Sequence, residues 1–123
     1  MTETKSKFKD EFKKRIYHFV LEVIKLLDSL PKDDITRRLS DQLLRSSTSI
    51  IANFVEGQSA SSKRDFINYL TISLKSSNES KLWLSLLKDS HRIENNDADK
   101  YMHELKEISN ILASSILKLK ERK

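Results

Sequence analysis

An all-α, up-down-up-down antiparallel four-helix bundle is the fold this sequence predicts, and three observations predict it. One glycine and one proline in 123 residues leave too little turn chemistry for an all-β fold. Apolar residues recur at three- and four-residue steps in four separate stretches, the pattern of amphipathic helices. The stretches are joined by short polar connections, which force consecutive long helices to run antiparallel. By length the chain is one domain, residues 1–123.

The first helix is expected over about residues 8–30, where Phe12, Ile16, Phe19, Val23, Leu26 and Leu30 form one stripe. Val20, Ile24 and Leu27 widen it, and Pro31 ends it, because the residue before a proline resists helical geometry. A second helix over about 35–56 is capped by Asp33 or Asp34 and carries Leu39, Leu43, Ser46 or Ser47, Ile50 and Phe54. Gly57, the only glycine, suits the left-handed residue just past that helix. Ser61 or Ser62 caps a third helix over about 62–90, with Asp65 in its first turn. Its heptad line runs through Phe66, Leu70, Leu84 and Leu87 but passes Ser73, Ser77 and Ser80 between them. Asn96 or Asp97 caps a fourth helix over about 97–120, carrying Tyr101, Leu105, Ile108, Leu112, Ser115 and Leu119. Apolar residues beyond one stripe on the first, third and fourth helices point to burial against other copies of the chain.

Composition excludes several function classes. There is no cysteine, so disulfides, thiolate metal sites and thiol catalysis are out. No apolar run approaches the roughly 18–20 residues a membrane span needs, and the charged start lacks a signal peptide's apolar segment. The expectation is a cytoplasmic protein with no membrane association. One glycine cannot build a phosphate loop, and no Gly-x-Ser-x-Gly elbow occurs. A bundle di-iron site needs paired Glu-x-x-His motifs, which are missing. His18 with Glu22, and Asp99 with His103, sit four apart, a spacing commoner in surface contacts than in metal sites. None of the three histidines has the surroundings of a phosphotransfer site. Trp83 and the tyrosines can stack on bases, but at helical spacing they read as core or interface. The chain is expected to be no enzyme and to carry no catalytic residue, metal or cofactor.

Charge is the feature that remains. The net charge is +5, and the bundle topology assigns it to one end. Residues 1–15 carry six basic and three acidic groups, and residues 114–123 carry four and one. Residues 56–66, at the same end, carry two of each. The opposite pole holds no excess: three of each sign over residues 28–38, and three basic against four acidic over 88–100. The candidate nucleic-acid-binding residues are therefore Lys9, Lys13, Lys14, Arg15, Lys63, Arg64, Lys118, Lys120, Arg122 and Lys123. Such a face would bind phosphates without sequence preference and with strong salt dependence.

The central stretch resembles a known family, the four-helix-bundle proteins encoded in intervening sequences of bacterial large-subunit ribosomal RNA. That family includes the accessory variability protein of diversity-generating retroelements. The residues that carry the resemblance include Arg45, Ser49-Ile50, Ala52-Asn53, Glu56-Gly57, Asp65-Phe66, Tyr69-Leu70, Ser76 and Glu79. The chain departs from the family pattern where Ile51 replaces a usual proline, where no arginine follows Gly57, and where Lys75, Ser77 and Ser80 replace a glycine and two leucines. The resemblance implies a homopentameric ring, and for retroelement members nucleic acid and a reverse transcriptase as partners. Arg45, Asn53, Glu56, Gly57 and Glu79 are its structural signature, with Asn53, Glu56 and Glu79 expected to cap or cross-link the second and third helices. Arg45 or Lys75 would be their charge partners. Two functions follow as expectations. The first is a homo-oligomeric nucleic-acid binder, with a reverse-transcriptase accessory role for the retroelement branch. The second is a structural protein-interaction module with no nucleic-acid role.

Overall fold

The computed structural model describes residues 2–122, with side chains from Ser6 onward. Four helices follow one another: α1 (Thr2–Asp28), α2 (Asp34–Gln58), α3 (Lys63–Asp89) and α4 (Asn95–Glu121). They form the expected all-α up-down bundle. α2 and α3 pack most intimately, and α1 and α4 least. The expected stripes supply the core. Ile16 and Val23 from α1 and Leu43 and Ile50 from α2 are fully buried with Leu70, Leu84 and Leu87 from α3 and Leu105, Ile108 and Leu112 from α4. Phe12 meets Phe54 edge-on at 5.1 Å, which fixes the level of α1 against α2.

The loops show why the helices begin and end where they do. Asp33 caps α2 by accepting from the Thr36 backbone N–H at 3.0 Å and from the Thr36 hydroxyl at 2.7 Å. Those bonds hold the Asp33 carboxyl below its ordinary range. Arg92 from the α3–α4 loop donates to the Thr36 hydroxyl at 2.8 Å, tying the two loops of this pole together. Ser62 caps α3 through the Asp65 N–H at 3.1 Å. The expected caps of α4 are corrected. Glu94 occupies the N-cap with no side-chain bond, so Asn96 and Asp97 already lie inside the helix. The α1 helix also begins six residues earlier than the sequence reading placed it, at Thr2 rather than about residue 8.

Gly57 is the larger correction. It lies within α2 and does not have positive φ; among the described residues the one left-handed residue is His91, just past α3. Gly57 is there because α3 is close. A Cβ on it would lie 3.0 Å from Tyr69 Cβ and 3.2 Å from the Phe66 ring.

The serine line on α3 is buried and is satisfied across the helix seams. Ser46 pairs with Ser80 and Ser49 with Ser76, each at 2.7 Å between α2 and α3. Ser73 donates to the Ile50 carbonyl at 2.8 Å. Ser77 pairs with Ser109 of α4 at 2.7 Å, and Ser109 also donates to Asn78 at 3.1 Å. Small side chains let the backbones approach, and each hydroxyl finds a partner there. Ser47 of α2 is the exception among the described residues, fully buried with no hydrogen-bond partner there for its hydroxyl. Ser47→Ala removes that desolvated group, so the variant is expected to be about 1 kcal/mol more stable in a chemical denaturation series. An unchanged or lower midpoint would show that the hydroxyl is satisfied in solution.

Several large apolar residues are left outside the core. Phe8, Tyr17, Leu21 and Ile24 of α1 and Ile35, Leu44 and Val55 of α2 are exposed. Ile72, Leu82 and Leu86 of α3 are exposed as well. α4 contributes only Leu117, because Ile111, Ile116 and Leu119 pack against the core. The surplus therefore belongs to α1, α2 and α3 rather than to α1, α3 and α4. Among the described residues no helix is long and apolar enough to cross a membrane.

Candidate nucleic-acid interface

Four helix ends meet at the Gly57 pole, and specific contacts tie α1, α3 and α4 together there. The Lys9 ammonium lies 5.1 Å above the Phe66 ring, joining α1 to the first turn of α3. The Lys63 ammonium donates to the Arg122 carbonyl at the end of α4, where the helix dipole favours a cation. Lys63 and Arg64 of α3 and Lys120 of α4 line one shallow cleft of about 340 Å³ with Ile67 and Asn68. A second cleft of about 330 Å³ lies between Lys9, Gln58, Ser61, Ser62 and Lys63.

Nine of the ten candidate residues can be placed, since Lys123 lies outside the described residues. Lys9, Lys63, Arg64, Lys120 and Arg122 converge at the pole, and all are exposed. None of the five has a carboxylate within ion-pair distance among the described residues. Lys118 is exposed at the last turns of α4. Lys13 and Lys14 sit about one turn further in along α1, with Lys13 half-buried and Lys14 exposed.

Arg15 is removed from the set. Its guanidinium makes a bidentate bond to Glu104 of α4, both contacts at 2.8 Å, and lies 4.0 Å from Glu107. That pairing, chiefly the Glu104 hydrogen bonds, raises its pKa further. Arg15 ties α1 to α4, beside Tyr101, whose hydroxyl donates to the Glu22 carbonyl at 2.9 Å. Burial and the Glu22 and Asp97 charges raise the Tyr101 pKa.

The signature residues divide by role. Asn53 donates to the Ser49 carbonyl at 2.9 Å and to the Ser49 hydroxyl at 3.0 Å, reaching α3 only through the Ser49–Ser76 pair. Glu79 is exposed and accepts from Trp83 Nε1 on its own helix at 3.1 Å. Glu56 and Arg45 are exposed and, among the described residues, make no side-chain hydrogen bond or ion pair. Among the described residues no carboxylate cross-link joins α2 to α3, and serines make the cross-links instead. Among the described residues no group of three or more His, Asp or Glu is arranged to hold a metal ion.

Fold and surface together define a class, an up-down four-helix bundle with one unpaired basic end. The chain belongs to the family described as 23S rRNA-intervening sequence protein, whose model matches residues 9–114. A solved structure similar to it is a protein of unknown function from the S23 ribosomal protein family of Bacteroides thetaiotaomicron. The two are 34% identical with a TM-score of 0.82, over 88% of this chain and 96% of that one. No curated protein matches the chain.

Proposed function

We propose that this chain is a non-enzymatic, cytoplasmic, self-associating bundle that binds RNA or DNA through its basic pole. Within the family resemblance, an accessory role to a reverse transcriptase fits that activity. The reading is carried by one observation, the convergence of Lys9, Lys63, Arg64, Lys120 and Arg122 at one end without carboxylate partners. Cations held by a cation–π contact and a helix terminus are placed, yet their outward charge is uncompensated. Copies of the chain arranged around an axis along the bundle would multiply that charge on one face.

The test is fluorescence anisotropy with labelled single-stranded RNA. With about five phosphates neutralised, affinity is expected to fall about a hundredfold between about 50 and about 200 mM salt. Lys63→Glu with Lys120→Glu should remove most of the binding. Absence of binding at low salt, or binding indifferent to salt, overturns the proposal.

The exposed apolar faces on α1, α2 and α3 favour a second reading, a structural protein-interaction module. Light scattering distinguishes the parts: a mass that is a multiple of 14.4 kDa supports self-association, with five copies expected from the family resemblance. A monomer leaves those faces for another protein.

A further inference from the structure

The unpaired positive charge does not stop at the pole. Ser109 of α4 contacts both Ser77 and Asn78 of α3, which marks the seam between the two helices. Lys81 lies one turn further along α3 and Lys106 one turn back along α4. Because the helices are antiparallel, the two lysines stand at the same level on one seam. Lys81 is half-buried, and its pKa is lowered first by burial and then by the nearby Lys106 charge. Among the described residues neither lysine has a carboxylate within ion-pair distance.

We infer that the α3–α4 seam is a track for a nucleic-acid phosphodiester backbone, running from the cleft of Lys63, Arg64 and Lys120 to the Lys81–Lys106 pair. The inference rests on the function proposed above and names the path the nucleic acid takes across the molecule. Seventeen residues separate Arg64 from Lys81, and fourteen separate Lys106 from Lys120. At a rise of about 1.5 Å per residue the two basic stations are about 21–25 Å apart. That is the length of roughly six or seven phosphates at a rise of about 3.4 Å per strand.

The chain between the stations is suited to that use. Asn68 and Asn78 on α3, and Asn110 and Ala113 on α4, leave this part of the seam uncharged. Four of the eight acidic residues of these helices are engaged elsewhere, and of the other four only Asp65 and Glu121 adjoin a station, next to Arg64 and Lys120. Glu104 and Glu107 turn to Arg15 on α1, and Glu79 meets Trp83 on its own helix. Asp99 pairs with Lys88, beyond the far station. Two like charges side by side without a counterion repel within the chain, and a phosphate between them would relieve that repulsion.

The experiment compares salt dependence for labelled single-stranded RNA among three proteins. They are the unaltered chain, Lys81→Gln/Lys106→Gln, and Lys25→Gln/Lys100→Gln, which removes equal charge from the α1–α4 groove. The seam pair is expected to lower the salt slope by about one unit per lysine, and the control pair to leave it unchanged. Thermal melting of the seam variant should match or exceed that of the unaltered chain, since a repulsion has been removed. Equal losses in both pairs would mean that net charge alone acts, which overturns the track. A seam variant that keeps the full slope, while Lys63→Glu/Lys120→Glu loses binding, overturns the track and leaves the pole reading standing. If the unaltered chain binds no RNA, the pole reading fails and the track falls with it.

Discussion

Gly57→Val is expected to lower stability by about 3 kcal/mol, the cost of forcing a side chain into a contact already at its limit. The nearest atom to a Cβ at Gly57 would be Tyr69 Cβ at 3.0 Å, which cannot swing away because it is fixed to the α3 backbone. The Phe66 ring, 3.2 Å off, is held under Lys9 and cannot leave without breaking the α1–α3 contact. Valine adds two further carbons and must part α2 from α3. Gly57→Ala is the informative milder change. A helical glycine replaced by alanine ordinarily gains about 1 kcal/mol. Here the clash outweighs that gain, and a net loss of about 1 kcal/mol is expected. Circular-dichroism melts measure both, with a midpoint drop of roughly 10 °C for valine. Stabilisation by alanine would show that the helices are not locked at this approach. The valine variant should also weaken RNA binding, because Phe66 and Lys9 sit at the centre of the basic pole.

What could be read from the sequence was what is local or periodic. The stripes of α1 and α2 are in the core because burial on one face imposes a 3.6-residue period on the sequence itself. Asp33 and Ser62 were legible as caps because the acceptor and the N–H it satisfies are only three residues apart. The α4 start was misread since Glu94, Asn95, Asn96 and Asp97 are all polar, and backbone geometry alone selects Glu94. Gly57 was misread for a different reason. Local sequence offers a left-handed turn as the usual explanation for glycine, whereas the real cause is the distance to another helix.

The candidate interface shows the same division. Placing charge at one pole needed only the helix order, and the ends did come together there. Arg15 could not have been excluded in advance, because its partner Glu104 is 89 positions away and only the packed bundle brings them together. Lys81 and Lys106 lie in neither bundle end, and their significance comes from sharing a seam that exists only once α3 and α4 pack. Glu56 and Arg45 looked structural as part of a regularly spaced motif. Exposed and without bonds among the described residues, they instead belong to the surface.

Ser77→Leu is expected to cost about 3 kcal/mol, although leucine is what the family resemblance implies at this position. Ser77 is fully buried, and its hydroxyl is 2.7 Å from Ser109, so leucine needs room that exists only if α4 moves outward. The loss from overpacking exceeds the gain from an apolar side chain. Ser77→Ala separates the two effects. It deletes the hydroxyl without adding volume, and Ser109 keeps its bond to Asn78 at 3.1 Å. About 1 kcal/mol should be lost. Ser77→Ala/Ser109→Ala removes both partners, leaves no unpaired hydroxyl in that pair, and should cost less than the two single changes added together. Full additivity would mean the hydroxyls do not stabilise one another. A leucine variant as stable as the parent would mean that serine does not set the α3–α4 spacing. In that case the departure from the family pattern would reflect relaxed packing, since leucine would fit without moving α4.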